Sequence, residues 1–159
     1  MTRFGEVTGY AKEHKTILCN AGTEATTGTV ARLDNGTLFV DQNQSAATMV
    51  FPVSGMHAGD VINKFRVVGG VGAKTGGVTS VDADLRKVTG AAGGVTDASV
   101  GAITQVSVEA DTAVDSEKAG LTETVATDYQ YYVLVTVTTA DNAENDAYIT
   151  GVEVDLNSR

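Results

Sequence analysis

Chemistry in this chain would have to come from a short set of residues. Gly69-Gly70-Val71-Gly72-Ala73-Lys74-Thr75 follows an apolar run and ends in Lys-Thr, superficially like a phosphate-binding loop. Such a loop needs glycine before its lysine and a helix N-terminus behind it to hold an anion. Here Ala73 precedes Lys74 and the strand-like Gly-Gly-Val-Thr-Ser-Val follows, so the segment reads as a hairpin loop. The only histidines are His14, beside Glu13, and His57, in a glycine-flanked turn near Asp60. Neither has a Gly-x-Ser-x-Gly elbow or other activated nucleophile to serve. Asp141, Asn142, Glu144, Asn145 and Asp146 gather oxygen donors of the kind calcium accepts, but without the spacing or glycine of an EF-hand, and a solvated turn explains them. Asp82 and Asp84 alternate in a strand-like run and point to one face; a glycosidase also uses two carboxylates, yet the chain has no tryptophan to frame a sugar. Cys19, the single cysteine, lies in the apolar run Thr16-Ile17-Leu18-Cys19 and reads as an inert buried thiol. No catalytic residue, no metal and no cofactor is therefore expected.

The elements around these residues are strands. Apolar residues recur at every second position far more often than at helical spacing, and glycine is frequent and scattered. Tyr129 to Thr139 and Tyr148 to Leu156 are rich in aromatic and β-branched residues, and they read as two adjacent antiparallel strands. Val133, Val135 and Val137 should face the core, leaving Leu134 on an opposite face too apolar for open water. In the last strand Val152, Val154 and Leu156 face one way, with Glu153 and Asp155 on a wet face. Asn35-Gly36 between two apolar runs marks a hairpin, since both residues accept positive φ. Thr48 to Phe51 forms a strand ending at Pro52, the only proline. Val61 to Val68 and Val78 to Ala83 read as hairpin partners across the glycine-rich segment, and Ala102 to Glu109 as a further strand. Asp84-Leu85-Arg86-Lys87 and Ser116-Glu117-Lys118-Ala119-Gly120 could each form a single helical turn. The expected fold is all-β: an antiparallel β-sandwich, jelly-roll-like, because one open sheet would leave its apolar face in water. Residues 1–45 form an extended N-terminal arm and β-hairpin, and 46–159 the sandwich domain.

Composition narrows the function classes. The 159 residues suffice for a core without disulfide staples. The net charge is −9, and residues 90–159 carry twelve of the twenty acidic side chains against two basic ones. A surface this acidic is repelled by phosphate backbones, so no nucleic-acid partner is expected. No apolar stretch approaches the ~20 residues of a membrane helix, and no membrane partner is expected. The start, Met-Thr-Arg-Phe-Gly-Glu, shows no apolar h-region, so synthesis in a reducing cytoplasm is the expectation.

Gly55-Met56-His57-Ala58-Gly59-Asp60-Val61-Ile62, then Phe65-Arg66-Val67-Val68-Gly69, Val81 to Lys87, Ala102 to Val106 and Ala110-Asp111-Thr112 follow one another in an order that resembles small structural proteins of tailed bacteriophages. The resemblance covers the last two-thirds of the chain. It implies a non-enzymatic capsid decoration or cement protein on the virion exterior, bridging major capsid protein subunits as a homo-trimer, or else a head fibre. Phe4, Tyr10, Ile17 and Leu18 in the arm, with Leu134 on the strand face, are then the candidate interface residues. The alternative from another class is a carbohydrate- or cell-surface-binding β-sandwich, in which exposed Tyr129, Tyr131 and Tyr132 would stack on sugar rings.

Overall fold

Alternating valine, isoleucine, threonine and tyrosine place one side-chain row on each face of a pleated strand. The computed structural model describes residues 14–19, 23–24, 30–32, 37–72, 79–108, 112–140 and 146–157. Among these, twelve strands and no helix occur: β1 His14–Cys19, β2 Thr23–Glu24, β3 Val30–Arg32, β4 Leu38–Val40, β5 Gln44–Val53, β6 Val61–Gly72, β7 Thr79–Ala91, β8 Gly94–Val108, β9 Thr112–Lys118, β10 Glu123–Thr124, β11 Gln130–Thr139 and β12 Asp146–Asn157.

The strands form two antiparallel sheets. The first has the order β10-β6-β12-β4-β3, with β9 also on β6 and β1 also on β12. The second has the order β2-β5-β11-β7-β8. The chain passes between sheets from β5 to β6, β6 to β7, β8 to β9, β10 to β11 and β11 to β12, which makes the sandwich jelly-roll-like. Its core is the layer between the inner faces. Phe51, Val133 and Leu85 of one sheet and Phe65, Ile62 and Leu156 of the other are all at most 1% exposed. Each such side chain contributes roughly 1.5–3 kcal/mol by leaving water.

Several expectations are met. Val133, Val135 and Val137 are fully buried. β3 pairs antiparallel with β4, Val30 with Val40 and Arg32 with Leu38, as the hairpin reading requires; its turn, residues 33–36, lies outside the described residues. The described parts of the first 45 residues add strands to both sheets: β1 runs along β12 from His14↔Asn157 to Cys19↔Val152, and β2 pairs with β5. Ile17 is 9% exposed and belongs to the core. Phe4 and Tyr10 lie outside the described residues, and for Leu18 only the backbone pairing with Glu153 is described.

Other expectations are corrected. The runs Tyr129 to Thr139 and Tyr148 to Leu156 are not neighbours; β11 and β12 sit in opposite sheets and face each other across the core. The same holds for β6 and β7, read as hairpin partners. Asp84 to Lys87 is no helical turn but the middle of β7, where Leu85 points inward. Ser116 to Lys118 likewise belongs to β9. β5 continues through Pro52, which pairs with Tyr132 on one side; β2, on the other side, reaches only Val50 and Met49. A missing N–H costs nothing on such an edge.

Asp155 is not on a wet face. Flanked by β1 and β6, it is 7% exposed, accepts the Thr16 hydroxyl at 2.5 Å and stands 3.3 Å from the Lys64 ammonium. It belongs to an ion-pair ladder across the outer face of the first sheet, in which Arg66 donates to Asp115 and Glu153 and Lys64 to Glu117.

Candidate functional site

Two crossings between the sheets meet at one end of the sandwich. The β5–β6 connection turns at Gly55 and Gly59, whose φ values of +81° and +94° lie in the region side chains avoid. Asp60, 4% exposed, accepts the His57 backbone N–H at 2.8 Å and so closes the turn between them. The β10–β11 connection then pairs with it: Gly59 N–H donates to the Val125 carbonyl at 2.8 Å, and Val125 N–H to the Asp60 carbonyl at 2.8 Å. Between these segments lies a cleft of about 460 Å³. Val53, Val125 and Tyr131 are its buried floor, and Met56, His57, Thr127, Tyr129 and Gln130 line it nearer solvent.

The volume and the lining both bear on what the cleft can hold. Small-ligand sites occupy about 300–1,000 Å³, are concave, and combine aromatic or apolar walls with a few polar groups. No carboxylate, lysine or arginine is among the described lining residues. His57 is an exposed rim residue, with Nδ1 3.8 Å from Asp60 Oδ2 and a side chain 82% exposed. Hydroxyl, amide and imidazole groups around an aromatic ring can bind a neutral molecule with apolar faces and hydroxyl edges. They offer no nucleophile with an activating base.

The three tyrosines do not form one platform, because successive residues of a strand point to opposite faces. Tyr131 is 3% exposed, and its hydroxyl donates to Glu123 at 2.8 Å. Burial, with Glu123 second, pushes the Tyr131 phenol up, so it stays a neutral donor. Tyr132 lies half-buried on the outer face, donating to Asp97 at 2.8 Å. Tyr131 closes the floor of the cleft, and Tyr129 lines its wall as a half-buried ring, with its centroid 6.3 Å from that of Tyr131 at 53°. Lys87 Nζ stands 5.1 Å from the Tyr129 centroid. Sequence reasoning passed over Lys87 and Glu123, the groups that surround these rings.

The remaining candidates fall elsewhere. Asp82 and Asp84 do share a face, in a shallow depression of about 240 Å³ with Leu134, Thr136 and Ala102 on the outer side of the second sheet. Asp84 is occupied, accepting from Arg86 at 2.6 Å and from Ser99 at 2.5 Å. Leu134 is half-buried there, on the face opposite the valines. The Arg86 guanidinium also holds the Asp97 carboxyl below the usual carboxylate range. His14 is described only in its backbone pairing with Asn157. Gly69 to Gly72 of the phosphate-loop-like segment belong to β6, while residues 73–78, with its Ala73-Lys74-Thr75 end, lie outside the described residues, as do 141–145 of the oxygen-rich loop. Asp146 is described, and it accepts the Tyr148 hydroxyl at 2.9 Å and the Gly72 N–H at 3.1 Å. Among the described residues no group of three or more His, Cys, Asp or Glu is placed to hold a metal.

No protein-family model matches this chain, and no curated protein does. Solved structures do match. One is the CBM36-1 domain of a multidomain xylanase from the hindgut metagenome of Trinervitermes trinervoides, 14% identical, covering 89% of this chain and 96% of that one with a TM-score of 0.48. Another is the xylan-binding module CBM86 from Roseburia intestinalis, at 9% identity, 91% and 96% coverage and a TM-score of 0.48. A third is the C-terminal family 22 carbohydrate-binding module of Clostridium thermocellum Xyn10B, at 18% identity, 95% and 90% coverage and a TM-score of 0.45. At these identities the likeness concerns the fold. These three structures are carbohydrate-binding modules, not capsid decoration proteins; the bacteriophage resemblance is corrected, and a capsid-bridging trimer with major capsid protein as partner is withdrawn. The physical reason is that the quoted motifs are ordinary sandwich parts. Gly55 to Ile62 is an inter-sheet turn, Phe65 to Gly69 the middle of β6, and Val81 to Lys87 the alternation of β7. Any antiparallel sandwich can carry them.

Proposed function

We propose that this chain is a non-catalytic carbohydrate-binding β-sandwich that takes a neutral saccharide in the cleft between the β5–β6 and β10–β11 connections. The observation that carries the reading is the Tyr129 ring on the wall of a 460 Å³ cleft whose described lining bears no carboxylate, lysine or arginine. A pyranose presents C–H groups on its faces and hydroxyls around its edge. The ring suits the first, and Gln130, Thr127 and His57 suit the second. An uncharged lining within a chain of net charge −9 favours neither a polyanion nor a metal-bound ligand. With no activated nucleophile beside the ring, binding without turnover is the chemistry the cleft supports.

The test is calorimetric titration with a panel of neutral oligosaccharides, including the xylotriose found bound to one of the matching modules. Binding should occur without release of shorter sugars. Tyr129→Ala should weaken it by about 2 kcal/mol, or roughly thirtyfold, as expected for a central aromatic anchor. If no neutral saccharide binds, or if the variant binds as well as the parent while melting at the same temperature, the cleft is not a sugar site.

A further inference from the structure

Tyr129 is held from behind by a clasp between the two sheets. Glu123 lies on β10, at the edge of the first sheet, where it pairs with Ile62 of β6. Its carboxylate nonetheless reaches the second sheet, accepting from Lys87 Nζ at 2.9 and 3.0 Å through both oxygens and from the Tyr131 hydroxyl at 2.8 Å. Lys87 and Tyr131 are direct partners across β7 and β11, so the clasp closes on adjacent strands. The Lys87 and Glu123 side chains are only 26% and 18% exposed. From that anchored position the ammonium stands over the Tyr129 ring at 5.1 Å. A cation at this distance is attracted to the negative face of the ring. It also occupies that face, so a ligand can stack only on the other.

We propose that Lys87 and Glu123 are positioning residues for ligand binding: Glu123 fixes Lys87, and Lys87 fixes the Tyr129 ring with one face turned to the cleft. The inference rests on the saccharide reading for its consequence, not for its geometry. Tyr129 precedes β11 and is not held by that strand's ladder. A tyrosine left to rotate must be ordered when a ligand binds, and ordering a side chain in advance removes that cost from association. Neither Lys87 nor Glu123 lines the cleft. Their contribution is therefore to affinity through the ring.

Protein carrying ¹³C-labelled tyrosine separates this from a purely structural role. In the parent, the Tyr129 ring should show dispersed resonances and the Lys87 ε-methylene a ring-current shift that Tyr129→Leu abolishes. Lys87→Met keeps the apolar stem and removes the charge; it should average the Tyr129 resonances and weaken saccharide binding about threefold to fivefold, the loss of one partly exposed cation–π contact. Lys87→Arg keeps both the cation and a carboxylate-matching head, and should restore ring order and affinity. Glu123→Gln, nearly isosteric, should behave as Lys87→Met does and serves where that variant folds poorly. Unchanged Tyr129 resonances in both Lys87→Met and Glu123→Gln, or failure of Lys87→Arg to rescue, would overturn the proposal. If the parent binds no saccharide, the functional reading fails, while the ring resonances still decide whether Lys87 orders Tyr129.

Discussion

Two neighbouring glycines of β6 give a sharp test of the packing. Gly69 and Gly70 both pair with β12, opposite Ile149 and Tyr148. The register of β12 slips between Ile149 and Gly151, so its backbone bends in against Gly69. A Cβ added at Gly69 would overlap the Tyr148 carbonyl oxygen and lie 3.1 Å from Ile149 Cα, whereas at Gly70 the nearest atom is the Thr112 carbonyl at 3.9 Å. The obstructing atoms at Gly69 are backbone and cannot rotate away. Gly69→Ala must push β12 off β6 or break local ladder hydrogen bonds. Overpacking alone costs ~1–3 kcal/mol, and one lost buried hydrogen bond adds ~1–3 kcal/mol, so about 4 kcal/mol, the centre of the summed range, is expected. Gly70→Ala meets only van der Waals contact and should stabilise by about 0.5 kcal/mol, through the smaller entropy of the unfolded chain. Equilibrium urea unfolding followed by tyrosine fluorescence reads both. With a slope near ~2 kcal/mol per molar for a domain of this size, the midpoint of Gly69→Ala should fall by about 2 M and that of Gly70→Ala should scarcely move. Equal midpoints for the two variants would refute the close approach of β12 at Gly69.

The remaining expectations concern charge. Asp97 and Asp115 are held below their ordinary value of 3.8 by hydrogen bonds from Arg86 and Arg66. A lowered folded-state pKa contributes stability that is complete above the unfolded value and disappears as pH falls through the folded one. Urea midpoints should therefore be flat from pH 7 to about 5 and drop below about 4, with a smaller acid loss in Asp97→Asn; an identical acid profile in that variant would contradict the Arg86 contact. For ligands, the net charge of −9 should disfavour uronate-bearing oligosaccharides against neutral ones of equal length. The gap should narrow as salt rises from 50 to about 500 mM, and calorimetry at the two salt concentrations checks it.

What was legible in the chain was which side chains share a face. Val133, Val135 and Val137 announce an inward row because strand periodicity is two, and no other arrangement buries them together. Which strands pair was not legible. A short polar connection looks the same whether it joins strands of one sheet, as between β3 and β4, or strands of opposite sheets, as between β6 and β7. Runs with clean alternation on both sides of a short connection, like β11 and β12, are as good at facing each other as at lying side by side. Asp84-Leu85-Arg86-Lys87 misled because one apolar residue among charges has no period; its partners on β8 and β11 make it a strand. Asp155 reads as solvent-facing from its own strand, and only β1 and β6 on either side bury it. The turn from Gly55 to Gly59 was visible as a turn. The cleft was not, because its other wall comes from Val125 to Tyr131, far along the chain.

The clasp at the end of the sandwich bears on why that cleft has charges behind its aromatic wall and none on its described lining. Where a jelly-roll chain crosses between sheets, the core layer ends and something must cap it. Capping with apolar side chains would serve stability at least as well, since replacing a buried ion pair by packed hydrophobic residues is often neutral or stabilising. Glu123 and Lys87 are less than one-third exposed, so their desolvation offsets much of their mutual attraction. Stability alone thus gives little reason for an ion pair here. Direction does: a carboxylate accepting three hydrogen bonds from two groups admits one arrangement of Lys87 and Tyr131, where an apolar cap would admit several. The arrangement it selects stands a cation behind Tyr129 and keeps both charges off the described lining of the cleft, leaving a neutral wall in an acidic protein.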